Sequence, residues 1–333
     1  MISTPSVCRV SPPNLTWSPD VLPGFERSVL PMPRAWDGEV DAVLVRRAGS
    51  PAATTSAVLY VHGFGDYFFQ SHLAEFYEEQ GLAFYAIDLR RHGRALHAGQ
   101  HPNTTRSIDE YVADIDRAVD VLRTQEGVRW LLVNGHSTGG LAAVIHASRG
   151  ARRADVDALF LNSPFLDMNL PRWQEVLVEP LLSLLGRFFP DFGLPSLDAK
   201  YGESIHSSAR GRWDFDLAWK PLAGFPAKAG WFRAIHLAQK EVERGLGIRA
   251  PILLLHAARS SRPKDWHEDV VRTDIVLDVA DMDRLAPRLG SDVTVIAIPD
   301  GIHDLVLSAE EPRRRTFELL SEWLRRVHRV PAA

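Results

Sequence analysis

Short, continuous apolar runs alternate with helical patterns along most of this chain, and that alternation restricts its fold more than any other feature. The runs 57–61, 82–87, 130–133 and 158–161 lack polar alternation, so each predicts a strand buried on both faces. Helical patterns separate them at 69–80, 108–125 and 141–148. In the second of these, Ile108, Tyr111, Val112, Ile115, Val119 and Leu122 recur at spacings of three and four. The intervening Asp109, Glu110, Asp114 and Asp116 make a solvated face. Strands alternating with helices predict an α/β fold with a mostly parallel central sheet and helices on both faces. Residues 41–47 predict its first strand.

The rhythm stops between about residues 166 and 246, a stretch with Pro171, Pro180, Pro190, Pro195, Pro221 and Pro226 but no buried-strand run. It resumes at 252–255 and 293–298, and an amphipathic helix at 311–327 follows. The sheet thus continues on both sides of an insertion. The expected organisation is an irregular, Pro- and Ser-rich leader (1–24), a core (25–165 and 247–333) and an inserted helical cap (166–246).

Charge and cysteine content narrow the function. In 333 residues, 38 basic side chains face 42 acidic ones, so no cationic field favours nucleic acid. A single cysteine, Cys8, excludes an internal disulfide framework and a cysteine zinc cluster. The N-terminus lacks the pattern of a signal peptide, and no apolar run is long enough for a transmembrane helix. A cytoplasmic protein is expected.

The chemistry concentrates at three strand ends. Gly135-His136-Ser137-Thr138-Gly139-Gly140 follows one buried run and opens a helix, which is G-x-S-x-G in strand–turn–helix context. Such a turn raises a serine out of the backbone and leaves no room for side chains two positions either side. His62-Gly63-Phe64-Gly65-Asp66 follows another run. There the Phe64 N–H, with that of Thr138, would form an oxyanion hole, while His62 supports the loop. Ser137 needs a base. His303, in Pro299-Asp300-Gly301-Ile302-His303-Asp304, follows the last strand at the sheet end where Ser137 must lie. His136 would point away from the turn, and His146 lies in the next helix. The carboxylate that orients His303 is Asp274 or Asp278, the latter also placed to cap a helix.

With Asp88-Leu89-Arg90-Arg91-His92-Gly93-Arg94 and Asp274-Ile275-Val276 added to these motifs, the chain resembles the α/β-hydrolase superfamily. Within it, the resemblance is to the group of monoacylglycerol lipases, lysophospholipases and serine aminopeptidases. It covers about residues 40–165 and 250–327. It implies Ser137, His303 and Asp274 as nucleophile, base and acid, with no metal or organic cofactor. Two departures stand out. Arg91 replaces the first glycine of the usual D-x-x-G-x-G loop, and residues 260–273 separate strand and acid as if inserted.

The cap is rich in aromatic and aliphatic residues, including Trp173, Leu177, Leu181, Leu182, Leu184, Leu185, Phe188, Phe189 and Phe192. An apolar cap beside such a serine favours a small ester with an apolar acyl or aryl group. The resemblance makes lipid-like monoesters the first expectation, with transient contact between cap and lipid surface. The alternative is an aminopeptidase or amidase on the same residues. Its substrate amine would need an acid, and Glu175, Glu179, Asp191, Asp214 and Asp216 are available.

Overall fold

The computed structural model describes residues 15–49, 54–168, 172–194 and 199–328, without the side chains of 172–177. Residues 1–14 of the expected leader and the side chains of Trp173, Glu175 and Leu177 therefore lie outside the described part. In chain order the first elements are β1 (Ser18–Pro19), β2 (Phe25–Pro31), β3 (Asp41–Arg47), β4 (Ser56–Val61) and α1 (Ser71–Glu79). Next come β5 (Ala83–Asp88), α2 (Ile108–Thr124), β6 (Trp130–His136), α3 (Thr138–Arg149) and β7 (Ala158–Asn162). After α4 (Arg172–Phe188), α5 (Lys200–Ile205) and α6 (Ala229–Arg244), the sheet resumes with β8 (Ile252–Ala257). The chain continues through α7 (Val279–Leu285), β9 (Val293–Ile298) and α8 (Glu310–Val327).

Among the described residues, nine strands form one sheet in the order β1-β2-β3-β5-β4-β6-β7-β8-β9. Strands β4 to β9 run parallel to one another, and β1 to β3 add an antiparallel edge. Residues 41–47 are therefore not the first strand. Strand β2 precedes them and pairs with β3 from Phe25↔Arg47 to Pro31↔Asp41. Its sequence, FERSVLP, buries only Phe25, Ser28 and Leu30. Phe25 and Leu30 lie on opposite faces of the strand, each face only partly covered, so neither a continuous apolar run nor a strict alternation marks it.

Alternate residues of each central strand feed opposite sides of the sheet. Leu59, Val61, Leu131, Val133, Leu159 and Leu161 pack beneath α2, α3 and α6. Val58, Tyr60, Leu132 and Phe160 face α1 and α8 instead. This two-sided burial is what the continuous runs require. In the segment expected as a cap, α6 sends Trp231, Ile235, Ala238 and Val242 into the core and also packs on α4. Among the described residues, no helix is long and apolar enough to cross a membrane.

Candidate active site

Ser137 sits between β6 and α3 with φ 53° and ψ −120°, a conformation that L side chains rarely adopt. Neighbouring close contacts hold it there. A Cβ on Gly135 would lie 2.6 Å from the Gly140 Cα, and one on Gly139 2.2 Å from the His62 carbonyl oxygen. The glycines thus let α3 press against both its own strand and the end of β4. The Ser137 N–H donates to the Asn162 carbonyl at 3.1 Å, and its carbonyl accepts from the Phe165 N–H at 3.0 Å.

His303 follows β9, and its Nε2 lies 3.0 Å from the Ser137 Oγ. Its Nδ1 lies 2.8 Å from Oδ2 of Asp274, whose side chain is fully buried. The other oxygen of Asp274, Oδ1, accepts from the Val276 and Leu277 N–H groups, each at 2.8 Å. The 258–278 segment folds back to reach this point. The Ser261 N–H donates to the Asp274 carbonyl, and the Asp274 N–H donates to that of Arg259. Asp278 lies elsewhere in the arrangement: its carboxylate accepts from the Ala280 N–H at 3.0 Å and caps α7. The structure therefore brings together Ser137, His303 and Asp274, and leaves Asp278 as a helix cap.

The loop after β4 passes directly over Ser137, since a Cβ on Gly63 would stand 3.1 Å from the Ser137 Cβ. The fully buried His62 ring fixes that loop. Nδ1 donates to the Gly63 carbonyl at 2.8 Å, and Nε2 accepts from the Leu89 N–H at 3.0 Å. Burial pulls the His62 pKa below its ordinary value, consistent with this neutral tautomer. The Phe64 ring packs against Trp231 of α6, with centroids 4.4 Å apart. The His136 Nδ1 lies 3.1 Å from the Asn162 carbonyl, and its ring packs against that of His303, with centroids 5.0 Å apart. His146 pairs with Asp116 at 2.9 Å.

Arg91 does not disrupt the loop in which glycine was expected. It adopts φ 64°, the left-handed geometry that glycine favours. Its buried guanidinium pairs with Asp37 and with Glu110 and lies over Trp36.

A cavity of about 530 Å³ opens onto Ser137 and His303. Phe64 and Thr138 line it near the serine; Phe165, Met168, Leu182, Phe225, Trp231 and Val276 line its apolar part. A polar end holds Asp66, Lys220 and Tyr201. None of these three stands out in the sequence as a site residue. Asp66 lay within the quoted loop, but Lys220 and Tyr201 come from an insertion that carries no motif.

The fold and this constellation define an α/β hydrolase. Residues 52–310 match the family model for serine aminopeptidase, S33, and the chain belongs to that family. A monoacylglycerol lipase of Mycolicibacterium smegmatis is 24% identical over 270 residues, covering 80% of this chain and 87% of that protein. Among solved structures, a soluble variant of monoglyceride lipase from Saccharomyces cerevisiae, in complex with a substrate analogue, superposes with a TM-score of 0.67. It is 16% identical and covers 99% of this chain and 100% of its own. The monoacylglycerol lipase of Paleococcus ferrophilus gives a TM-score of 0.61 at 22% identity, covering 80% and 93%.

Proposed function

We propose that this protein hydrolyses carboxylic esters through an acyl-enzyme, with lipid-like monoesters as substrates. Ser137 attacks the ester carbonyl. His303 takes its proton and returns it to the leaving alcohol, and Asp274 holds the ring in the tautomer this requires. The N–H groups of Phe64 and Thr138 stabilise the oxyanion. Thr138 opens α3, where the first N–H groups have no partner within the helix. Residues 166–246 act as the cap and shape the acyl site.

The observation that carries this reading is the apolar lining of the cavity next to the Ser137–His303 hydrogen bond. It accommodates an acyl chain, which the monoacylglycerol lipase relatives also suggest. The amide alternative lacks comparable support, because four of the five acids named for it are engaged with other groups, and the side chain of the fifth, Glu175, lies outside the described residues. Glu179 faces His236, Asp191 pairs with Arg106, Asp214 accepts from Ser207, and Asp216 accepts from the Ala218 N–H.

A fluorophosphonate probe followed by peptide mapping tests the nucleophile. Labelling at Ser137, and its loss in Ser137→Ala, is the expected result; labelling elsewhere overturns the assignment. Substrate class is tested by comparing kcat/KM on monoacylglycerols, short aryl esters and aminoacyl amides. Preference for the amides overturns the esterase reading.

A further inference from the structure

The polar end of the cavity holds a buried ion pair that the reaction described above does not use. The Lys220 Nζ lies 2.7 Å from the Asp66 Oδ1. Asp66 belongs to the loop that follows β4, two residues beyond Phe64, whereas Lys220 comes from the segment between α5 and α6. Asp66 is 1% exposed and Lys220 8%. No hydrogen bond reaches Asp66 Oδ2 among the described residues, so Lys220 is the main partner of this carboxylate. The Lys220 ammonium also lies 5.6 Å from the ring centroids of Phe69 and Phe215, which favours a cation there.

The location makes this charge balance consequential. Asp66 and Lys220 line the same cavity as Ser137, Phe64 and Thr138. A bare carboxylate there would oppose any negative charge forming on a substrate oxygen, and poor solvation would strengthen the opposition. Burial would raise the Asp66 carboxyl, yet Lys220, then His136 and His62, hold its pKa below the usual value. Burial shifts both of those histidines toward the neutral form, which leaves Lys220 as the standing positive charge.

We propose that Lys220 is a positioning residue of the ester hydrolysis, supplied by the 166–246 segment to neutralise Asp66 beside the oxyanion site. The inference rests on the esterase reading. Seating of that segment and electrostatic competence of the oxyanion loop are thereby linked: with Lys220 withdrawn, the Asp66 carboxylate, in the lining of the same cavity, loses its cation. The pair should affect kcat more than KM, because the charge it guards against exists only in the transition state.

A double-mutant cycle on a short aryl ester tests this, with every variant assayed well below its own melting temperature. The full-length protein is used, and fluorophosphonate titration counts the active serines. Lys220→Met should lower kcat by about 10- to 100-fold, with KM changed by less than about threefold. Asp66→Asn/Lys220→Met, with both charges gone, should recover most of that loss, and Lys220→Arg should retain most of the activity. An unchanged kcat in Lys220→Met overturns the proposal. So does a double variant as slow as Lys220→Met, which would mark Lys220 as a packing element only. Failure of the esterase reading itself is separable, since the wild-type protein would then leave Ser137 unlabelled or the ester uncleaved.

Discussion

The His62 ring clamps the peptide that follows it, with Nδ1 donating to the Gly63 carbonyl oxygen at 2.8 Å. The N–H of a trans peptide points opposite to its C=O, so holding the Gly63 oxygen also sets the direction of the Phe64 N–H. The Leu89 N–H anchors the other side of the ring, tying the β4 loop to the end of β5. His62 thus orients the proposed oxyanion donor without touching substrate. His62→Ala is expected to lower kcat by about 10- to 100-fold while KM stays close to wild type. Steady-state kinetics on an aryl ester check this, and an unchanged kcat would remove the orienting role.

The two candidate acids separate cleanly by experiment. Asp274→Asn keeps an oxygen for the Val276 and Leu277 N–H groups but presents the wrong partner to the His303 Nδ1. The expected loss in kcat is about 10⁴-fold with the fold retained. Asp278→Ala removes a helix cap instead. It should cost about 1 kcal/mol of stability and leave kcat near wild type. Thermal denaturation and kinetics on both variants check this. The reverse pattern would exchange the two roles.

Legibility in the sequence followed the physical signal available at each position. The parallel strands were readable because burial on both faces leaves uninterrupted apolar runs such as 57–61. Strand β2 was not, since each of its faces is only partly covered, by Phe25 on one and Ser28 and Leu30 on the other, and its pattern is broken by Glu26 and Arg27. Ser137 and His303 were readable from glycine-rich strand ends. Asp274 remained one of two options because a chain that doubles back through residues 258–273 gives no periodic signal. Lys220 was invisible for a further reason: its partner Asp66 is 154 positions away, and no local pattern encodes such a pairing.

Arg91 offers a test of which effect wins when backbone geometry and charge conflict. Its φ of 64° would suit glycine better, by about 1 kcal/mol. Its guanidinium, however, donates to Asp37 at 2.7 Å and to Glu110 at 2.7 Å from a fully buried position. Arg91→Gly would relieve the backbone but leave both carboxylates without this partner. Asp37 and Glu110 keep some exposure to solvent, so losing Arg91 costs less than breaking a fully buried pair, about 3–5 kcal/mol, and the variant should be destabilised by about 1–2 kcal/mol net. Urea denaturation measures it, and a gain in stability would show that the backbone term dominates.

Acid sensitivity should develop in two stages, beginning with the buried histidines. Burial lowers the pKa of His62, His72, His92 and His136, with desolvation the largest cause for each. In the unfolded chain these side chains take up protons near pH 6.5, whereas in the folded protein they do so only at lower pH. Below pH 6.5 the unfolded state therefore binds more protons. The stability from these residues is complete above that pH and is lost as the pH falls toward their folded values. Asp20 acts at lower pH: burial would raise its pKa, but Arg94 outweighs this and lowers it, so its contribution is present above the ordinary carboxylate value and disappears as the pH falls through the depressed one. Melting temperature should thus be nearly flat from about pH 8 to 7 and fall progressively from about pH 6.5 to 5. His92→Gln, which lies outside the proposed reaction, should make the first decline shallower. A melting temperature that holds or rises between pH 7 and 5 would contradict the assignment of neutral, buried imidazoles.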